Sequence, residues 1–346
     1  VSAAPSTSSG NVSSVRTTDY HTGGEPFRIV VEPPVEIPGT DVADRRARAI
    51  GDTDADALRR LLCFEPRGHA DMYGGFLVPP DDAGADLGVL FWHKDGFSTA
   101  CGHGTIALGA WAVESGRVAA PTDGVTDVVV DVPSGRVTAR VHTVGGLVEA
   151  VDFVNVPSYV VETGIEVPTA YGPVVVDVAC GGALYASLDV ASVGLHVEPG
   201  SITELIAFGR EVKRALVDHP AARHARDERL SGIYGTILFE DLGERPEGPH
   251  QRNVTIFADG EVDRSPCGSG TASRVASLAA SGVLGPDQVL THDSIVGSRF
   301  VARVLEHTTA DGFPAVVPSI TGTAHRTGEH EFVGDPRDTL PGFVLR

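Results

Sequence analysis

Two short runs constrain this chain more than any other feature. They are Cys101-Gly102-His103-Gly104-Thr105 and Cys267-Gly268-Ser269-Gly270-Thr271. The frames match beyond these cores. Phe91 and Phe257 stand the same distance ahead of the two cysteines, and Ser115-Gly116 and Ser281-Gly282 the same distance behind. Further pairs occur in the same order. Asp19-Tyr20-His21-Thr22-Gly23-Gly24 resembles Asp177-Val178-Ala179-Cys180-Gly181-Gly182, and Arg136-Val137-Thr138-Ala139-Arg140-Val141 resembles Arg299-Phe300-Val301-Ala302-Arg303-Val304. A spacing of about 160 residues is far too long for a solenoid and implies two copies of one α+β unit.

The 346 residues leave room for two such units, each with its own core. A net charge of −19 makes a surface that repels phosphate backbones, which excludes nucleic acid as a partner. No apolar run reaches the roughly 20 residues that span a bilayer, so no membrane partner is expected. The Ser-rich stretch 1–16 lacks an apolar segment and reads as a flexible tail, not a signal peptide. Cys63, Cys101, Cys180 and Cys267 are widely spaced, with no metal-ligand pattern among them. Such thiols fit a reducing cytoplasm better than a disulfide framework. A homodimer agrees with base rates for oligomers.

Each unit reads in the same way. Residues 89–93 and 254–258 are strand candidates that lead into the cysteine turns. Helices are expected over about 105–114 and 271–280, with Gly116 and Gly282 as their stops. Strands follow at 127–132, 138–142 and 300–305. Outer helices are expected over 54–62 and from Ser201, where Ser201 and Glu204 form a capping box. Residues 241–248 read as a surface loop, and Arg223, Arg226 and Arg229 as a solvated helix face.

The cysteines carry the chemistry. A thiol at a helix N-terminus faces free N–H groups, which lower its pKa and cradle a carboxylate. Glycines beside it let backbone approach a ligand closely. Two such turns facing each other across a cleft put a carboxylate-bearing carbon between two thiols. One removes the α-proton and the other returns a proton to the opposite face, which is inversion by two acid–base groups. No cofactor is needed. The halves differ where His103 is matched by Ser269 and Asp263 by Phe97. An Asp and a His on one side suit an ammonium group. The plainer alternatives are a helix cap for His103 and a turn residue for Asp263. Cys63 and Cys180 read as small buried hydrophobes, and His21, His69 and His93 as structural groups.

At this level of detail the chain resembles the proline racemase family. The residues that carry the resemblance are Asp19-Tyr20-His21-Thr22-Gly23-Gly24-Glu25-Pro26, Pro66-Arg67-Gly68-His69-Ala70-Asp71-Met72, the Cys101 run, Asn155-Val156-Pro157-Ser158, the Gly181-Gly182 segment and Asp263-Arg264-Ser265-Pro266-Cys267-Gly268-Ser269-Gly270-Thr271. The family holds proline racemases, 4-hydroxyproline 2-epimerases and trans-3-hydroxy-L-proline dehydratases. It implies a diaminopimelate-epimerase-like fold: two pseudo-symmetric domains, each a barrel-like sheet around a central helix. The first repeat would cover 17–165 with a returning segment at about 327–346, and the second 166–326. Cys101 and Cys267 match the catalytic pair. Gly102, His103, Gly268 and Ser269 match substrate contacts, and Asp263 the acid near the ring nitrogen.

The resemblance implies a cofactor-independent racemase or epimerase of proline or hydroxyproline. Family dehydratases commonly carry Thr in place of the second cysteine, so Cys267 favours inversion. The lead-in Asp95-Gly96-Phe97-Ser98-Thr99-Ala100 is more similar to the dehydratase branch, which makes dehydration of trans-3-hydroxy-L-proline the alternative. Cys180 stands where relatives often have an aromatic residue. A non-catalytic anion-binding protein is the third reading.

Overall fold

The computed structural model describes residues 14–340 and 342–345. Most of the expected tail, residues 1–13, lies outside the described residues, while 14–16 already belong to a strand. The first half runs β1 (Ser14–Thr22), β2 (Glu25–Val30), α1 (Val42–Ala49), α2 (Thr53–Cys63), β3 (Gly74–Val78) and β4 (Leu87–His93). It continues with β5 (Gly96–Phe97), α3 (Gly102–Glu114), β6 (Gly124–Val132), β7 (Gly135–Val144), β8 (Leu147–Val154) and β9 (Ser158–Thr169). The second half runs β10 (Gly172–Cys180), β11 (Leu184–Asp189), α4 (Ile202–Ala215), β12 (Ile233–Arg245), β13 (Gly248–Phe257) and β14 (Glu261–Asp263). It ends with α5 (Gly268–Ala280), β15 (Leu290–Ser294), β16 (Arg299–Ala310), β17 (Phe313–Gly322) and β18 (Ala324–Val333).

The pairing repeats strand for strand. β1–β2 and β10–β11 are antiparallel hairpins turned at the Gly-Gly pairs, where Gly23, Gly24 and Gly182 have φ of 57°, 94° and 90°. β2 runs parallel to β3, and β11 to β12. β4 runs parallel to β6, and β13 to β15. The strands β6–β7–β8 and β15–β16–β17 are matching meanders. The last strand of each half crosses over. β9 pairs with β10, and β18 pairs with β1 along its whole length. A third seam joins β8 to β17.

Each wall of strands encloses one helix. α3 packs against β1, β2, β6, β7, β8 and β18, and α5 against β9, β10, β11, β16 and β17. A helix surrounded by sheet must be apolar or self-satisfied on every face. Residues 102–112 of α3 are all buried. Small residues set how close the strands come: a Cβ on Gly109 would stand 2.6 Å from the Cβ of Ala139. α5 buries polar groups and satisfies them locally. Ser273 and Ser277 donate to the carbonyls of Gly270 and Ser273, and Arg274 lies on the Phe239 ring and reaches Gln251 and Ser187.

Both central helices start three residues earlier than expected, directly after their cysteines, and Gly116 and Gly282 end them with φ of 72° and 75°. The remaining helices lie outside. Asp41 and Asp52 cap α1 and α2 through side-chain oxygens. Three expectations fail. Ser201 makes no capping bond to α4, because its hydroxyl turns to Glu198 instead. Residues 241–248 are not a loop but the exposed end of the β12–β13 hairpin, with a bulge between Asp241 and Glu244. Arg223, Arg226 and Arg229 lie on no helix face. They sit among short 3₁₀ turns, where Asp227 binds Arg229 and Asp311 lies near Arg226.

Candidate active site

The two cysteine turns meet. A Cβ on Gly102 would stand 2.5 Å from the Cα of Gly268, and a Cβ on Gly268 equally close to Gly102. The first glycine of each run therefore lets the helix ends abut, an approach that no side chain permits. Phe153 of β8 closes the floor beneath Gly102. Cys101 and Cys267 are both helix N-caps and are 4% and 6% exposed.

The two turns are held differently. Cys101 has extended backbone, and its Sγ accepts from the Gly104 N–H at 3.2 Å. Thr105 Oγ1 returns a bond to the Cys101 carbonyl. Cys267 has φ of 65°, a region that L residues rarely occupy. Its N–H donates to Ser265 Oγ, while Ser265 N and Oγ donate to Asp263 Oδ1 at 2.8 and 2.7 Å. The preceding carbonyl, Pro266 O, accepts from both Asn253 Nδ2 and Thr271 Oγ1. Asn253 also donates to His292 Nε2, which leaves His292 Nδ1–H to donate to Thr271 Oγ1. This net of bonds over-determines the strained residue. Strain persists where the surroundings fix it, and it gathers at functional sites.

The other sequence candidates come to the same place. His103 places its ring nitrogens 3.5 Å from Cys101 Sγ and 3.9 Å from Asp263 Oδ2. Burial holds His103 neutral, with its pKa pushed down to about 3. Asp263 is buried, and that burial raises it to about 6. Ser269 Oγ sits 2.7 Å from Tyr185 Oη. The thiols depart from the expectation. Burial raises both Cys101 and Cys267 well above the ordinary thiol range, and the Gly104 and Gly270 N–H groups only partly oppose it. Removal from water outweighs the helix ends here.

Several residues around the thiols carry no motif. Tyr185 Oη lies 3.9 Å from Cys267 Sγ. The Phe27 ring meets His103 edge-on at 5.9 Å, as Tyr185 meets Ser269 on the other side. Phe27 and Tyr185 stand in the frame of Asp19 and Asp177, so carrying the repeat further would have found this polar–apolar exchange. Tyr73 packs against His103 with ring centroids 4.9 Å apart, and its hydroxyl bonds both Ser98 Oγ and Tyr234 Oη. Glu25 is fully buried, accepts from the Arg264 N–H at 2.7 Å, and is held well above the usual carboxyl range by burial and by Asp263. Arg264 in turn binds Asp71 at 2.7 Å.

The three histidines act separately. His21 and His69 accept from nearby backbone N–H groups, and His93 binds Glu261 at 3.0 Å. His93, Asp95 and Glu261 cluster closely enough to suit a metal, but Lys94 already places its ammonium 2.6 Å from Asp95 and 3.7 Å from Glu261. The group is an ion-pair knot across the halves, with Asp95 accepting from the Asp259 N–H. All four cysteines are free. No helix among the described residues is long and apolar enough to cross a membrane.

Comparison with known proteins agrees with this frame. The family model described as proline racemase matches residues 17–344. A trans-3-hydroxy-L-proline dehydratase of Burkholderia cenocepacia (strain HI2424) is 44% identical over 335 residues, 96% of this chain and 98% of that protein. A 3-hydroxyproline 2-epimerase of Burkholderia multivorans is also 44% identical, over 337 residues and the same shares of each chain. A crystal structure of a hydroxyproline epimerase from Agrobacterium vitis, with bound trans-4-OH-L-proline, has a TM-score of 0.89 at 30% identity and covers 96% of both chains. With a match over nearly its whole length, on a mixed α/β frame that brings two thiols to abutting helix ends, this chain belongs to the proline racemase family.

Proposed function

We propose that this enzyme removes the α-proton of a hydroxyproline held between Cys101 and Cys267, and that its main reaction is dehydration of trans-3-hydroxy-L-proline. The observation that carries this reading is the 44% identity, over 96% of the chain, to proteins named for that reaction in Burkholderia and Azospirillum. It moves the weight away from the inversion that Cys267 alone favours. The backbone N–H groups at Gly102, His103, Gly268 and Ser269 cradle the carboxylate and stabilise the charge that builds on it as the proton leaves. Asp263, ionised above about pH 6, faces the ring nitrogen. The raised thiols favour the neutral form, so the cationic nitrogen of the substrate helps to draw out the thiolate.

A second reading has its own support. Cys267 provides a second thiol at the abutting helix end, and the B. multivorans relative is named for 2-epimerisation at the same identity. Both readings share the 3-hydroxyproline scaffold and the C2 proton. We also read the chain as two pseudo-symmetric, diaminopimelate-epimerase-like barrels, 17–165 with 327–346 and 166–326. The pairing of β18 with β1 supports the returning segment.

Incubation with trans-3-hydroxy-L-proline in D₂O, followed by NMR, separates the outcomes. A cyclic imine supports dehydration, and a 2-epimer deuterated at the α-carbon supports inversion. Neither product, from a folded protein with intact thiols, overturns both and leaves an anion-binding protein.

A further inference from the structure

Elimination needs more than a base. Hydroxide is a poor leaving group, so the 3-hydroxyl must gain a proton as its bond to carbon breaks. In the trans isomer the carboxylate and the 3-hydroxyl lie on opposite ring faces. The α-hydrogen and the hydroxyl therefore share one face, and base and acid must act from the same side.

Tyr73, Ser98 and Tyr234 form a group of neutral donors beside His103. Tyr73 hydroxyl lies between Ser98 Oγ and Tyr234 Oη, 3.0 Å from the latter. Three hydroxyls make two contacts, so one O–H proton has no protein acceptor among the described residues. The Tyr73 ring is 2% exposed and seated against His103, the residue two along from Cys101. The Tyr73 ring also stacks on Phe27 at 6.4 Å, and Phe27 lies against Gly104 of the Cys101 turn. Tyr73 thus stands on the Cys101 side, while Tyr234 meets Tyr185 of the other half with ring centroids 5.8 Å apart. Ser98 and Tyr234 also line a cleft of about 410 Å³.

Resting on the dehydration reading, we propose that Tyr73, positioned by Ser98 and Tyr234, is the acid that protonates the departing 3-hydroxyl, with Cys101 as the base on the same face. The C2–H electrons become the C2=C3 bond and the proton passes to the Cys101 thiolate. The C3–O bond breaks with its electron pair on oxygen, which takes the Tyr73 proton and leaves as water. The enamine tautomerises to the cyclic imine. The thiol then gives up its proton and the phenolate regains one, by way of solvent once the product has left, and the pair is reset. Burial keeps Tyr73 protonated until the leaving oxygen becomes the stronger base.

The test is Tyr73→Phe, which keeps the ring packing and removes the acid. With trans-3-hydroxy-L-proline in D₂O, imine formation is expected to fall by about 10²–10⁴-fold, the usual worth of a general acid. Deuterium should still enter the α-carbon of recovered substrate at close to the wild-type rate of proton removal. Cys267 should then return a proton to the other face, so the variant accumulates the 2-epimer. Tyr234→Phe is expected to give a smaller shift in the same direction. Equal loss of exchange and elimination in Tyr73→Phe would make Tyr73 structural and overturn the proposal, and so would unimpaired imine formation. A wild-type protein that forms no imine removes the dehydration reading itself, and the role of Tyr73 with it.

Discussion

Gly102 and Gly268 touch where the two central helices begin, each leaving no room for a Cβ on the other. Gly102→Ala or Gly268→Ala must drive the two helix ends apart. Overpacking of this kind costs about 1–3 kcal/mol in stability. A displacement of the thiols by even an ångström costs about 10²-fold in rate. Thermal unfolding and product formation check both, and an alanine variant with wild-type turnover would show that the contact is slack.

The two thiols should separate under substitution. Cys101→Ser is expected to abolish both α-proton exchange and imine formation from trans-3-hydroxy-L-proline. Cys267→Ser should abolish inversion yet leave elimination within about tenfold, since one base suffices for it. NMR of the two reactions side by side reads this out. Elimination that depends on Cys267 and not on Cys101 would reverse the assignment of faces.

Asp263 should give the activity an acid limb. Its carboxyl is raised to about 6 by burial, so the charge proposed to face the substrate nitrogen is lost as pH falls through that value. The profile of kcat/KM should rise through about pH 6. Asp263→Asn should lower the plateau and remove that limb. A limb that persists unchanged in the variant would assign it elsewhere.

Acid should also act on the fold through its buried imidazoles. Burial holds His103 and His292 at about 3, whereas an unfolded imidazole titrates near 6.5. Below 6.5 the unfolded chain binds more protons, so stability falls as pH drops toward 3, by up to about 1.4 kcal/mol per pH unit for each imidazole. Asp263 works the other way: its folded pKa is raised, and its share is lost as pH rises from about 4 to about 6. Glu25 and Glu261, raised likewise by burial, add to the share of Asp263. The imidazole share is isolated in a variant: by urea unfolding, His103→Gln should lose less stability, or gain more, between pH 7 and pH 5 than the wild type does. An unchanged pH dependence in His103→Gln would contradict this.

The repeat made much of this site legible. Matching cysteines, glycine stops and the Gly-Gly turns all lie in local sequence, and local rules place them at helix ends and hairpins. Residues brought in from distant strands had no such signal. Tyr73, Tyr234 and His292 matter because of what folds against them, and only Tyr185 could have been reached, through its frame with Phe27. The thiol pKa direction departs from the sequence expectation for a related reason. A helix N-terminus is visible in sequence, but the dryness of the space it faces is not.

The crossed strands carry a consequence for the history of the chain. β9 leaves the first half to pair in the second, and β18 leaves the second to pair in the first. A fragment cut between the copies would bare a long hydrogen-bonding edge on β1 or β10, an invitation to aggregate. The two copies are therefore no longer separable parts. Neither can be lost, transplanted or freely rebuilt without taking a wall from its twin, and so the asymmetry between their active-site faces could accumulate while the pair stayed together.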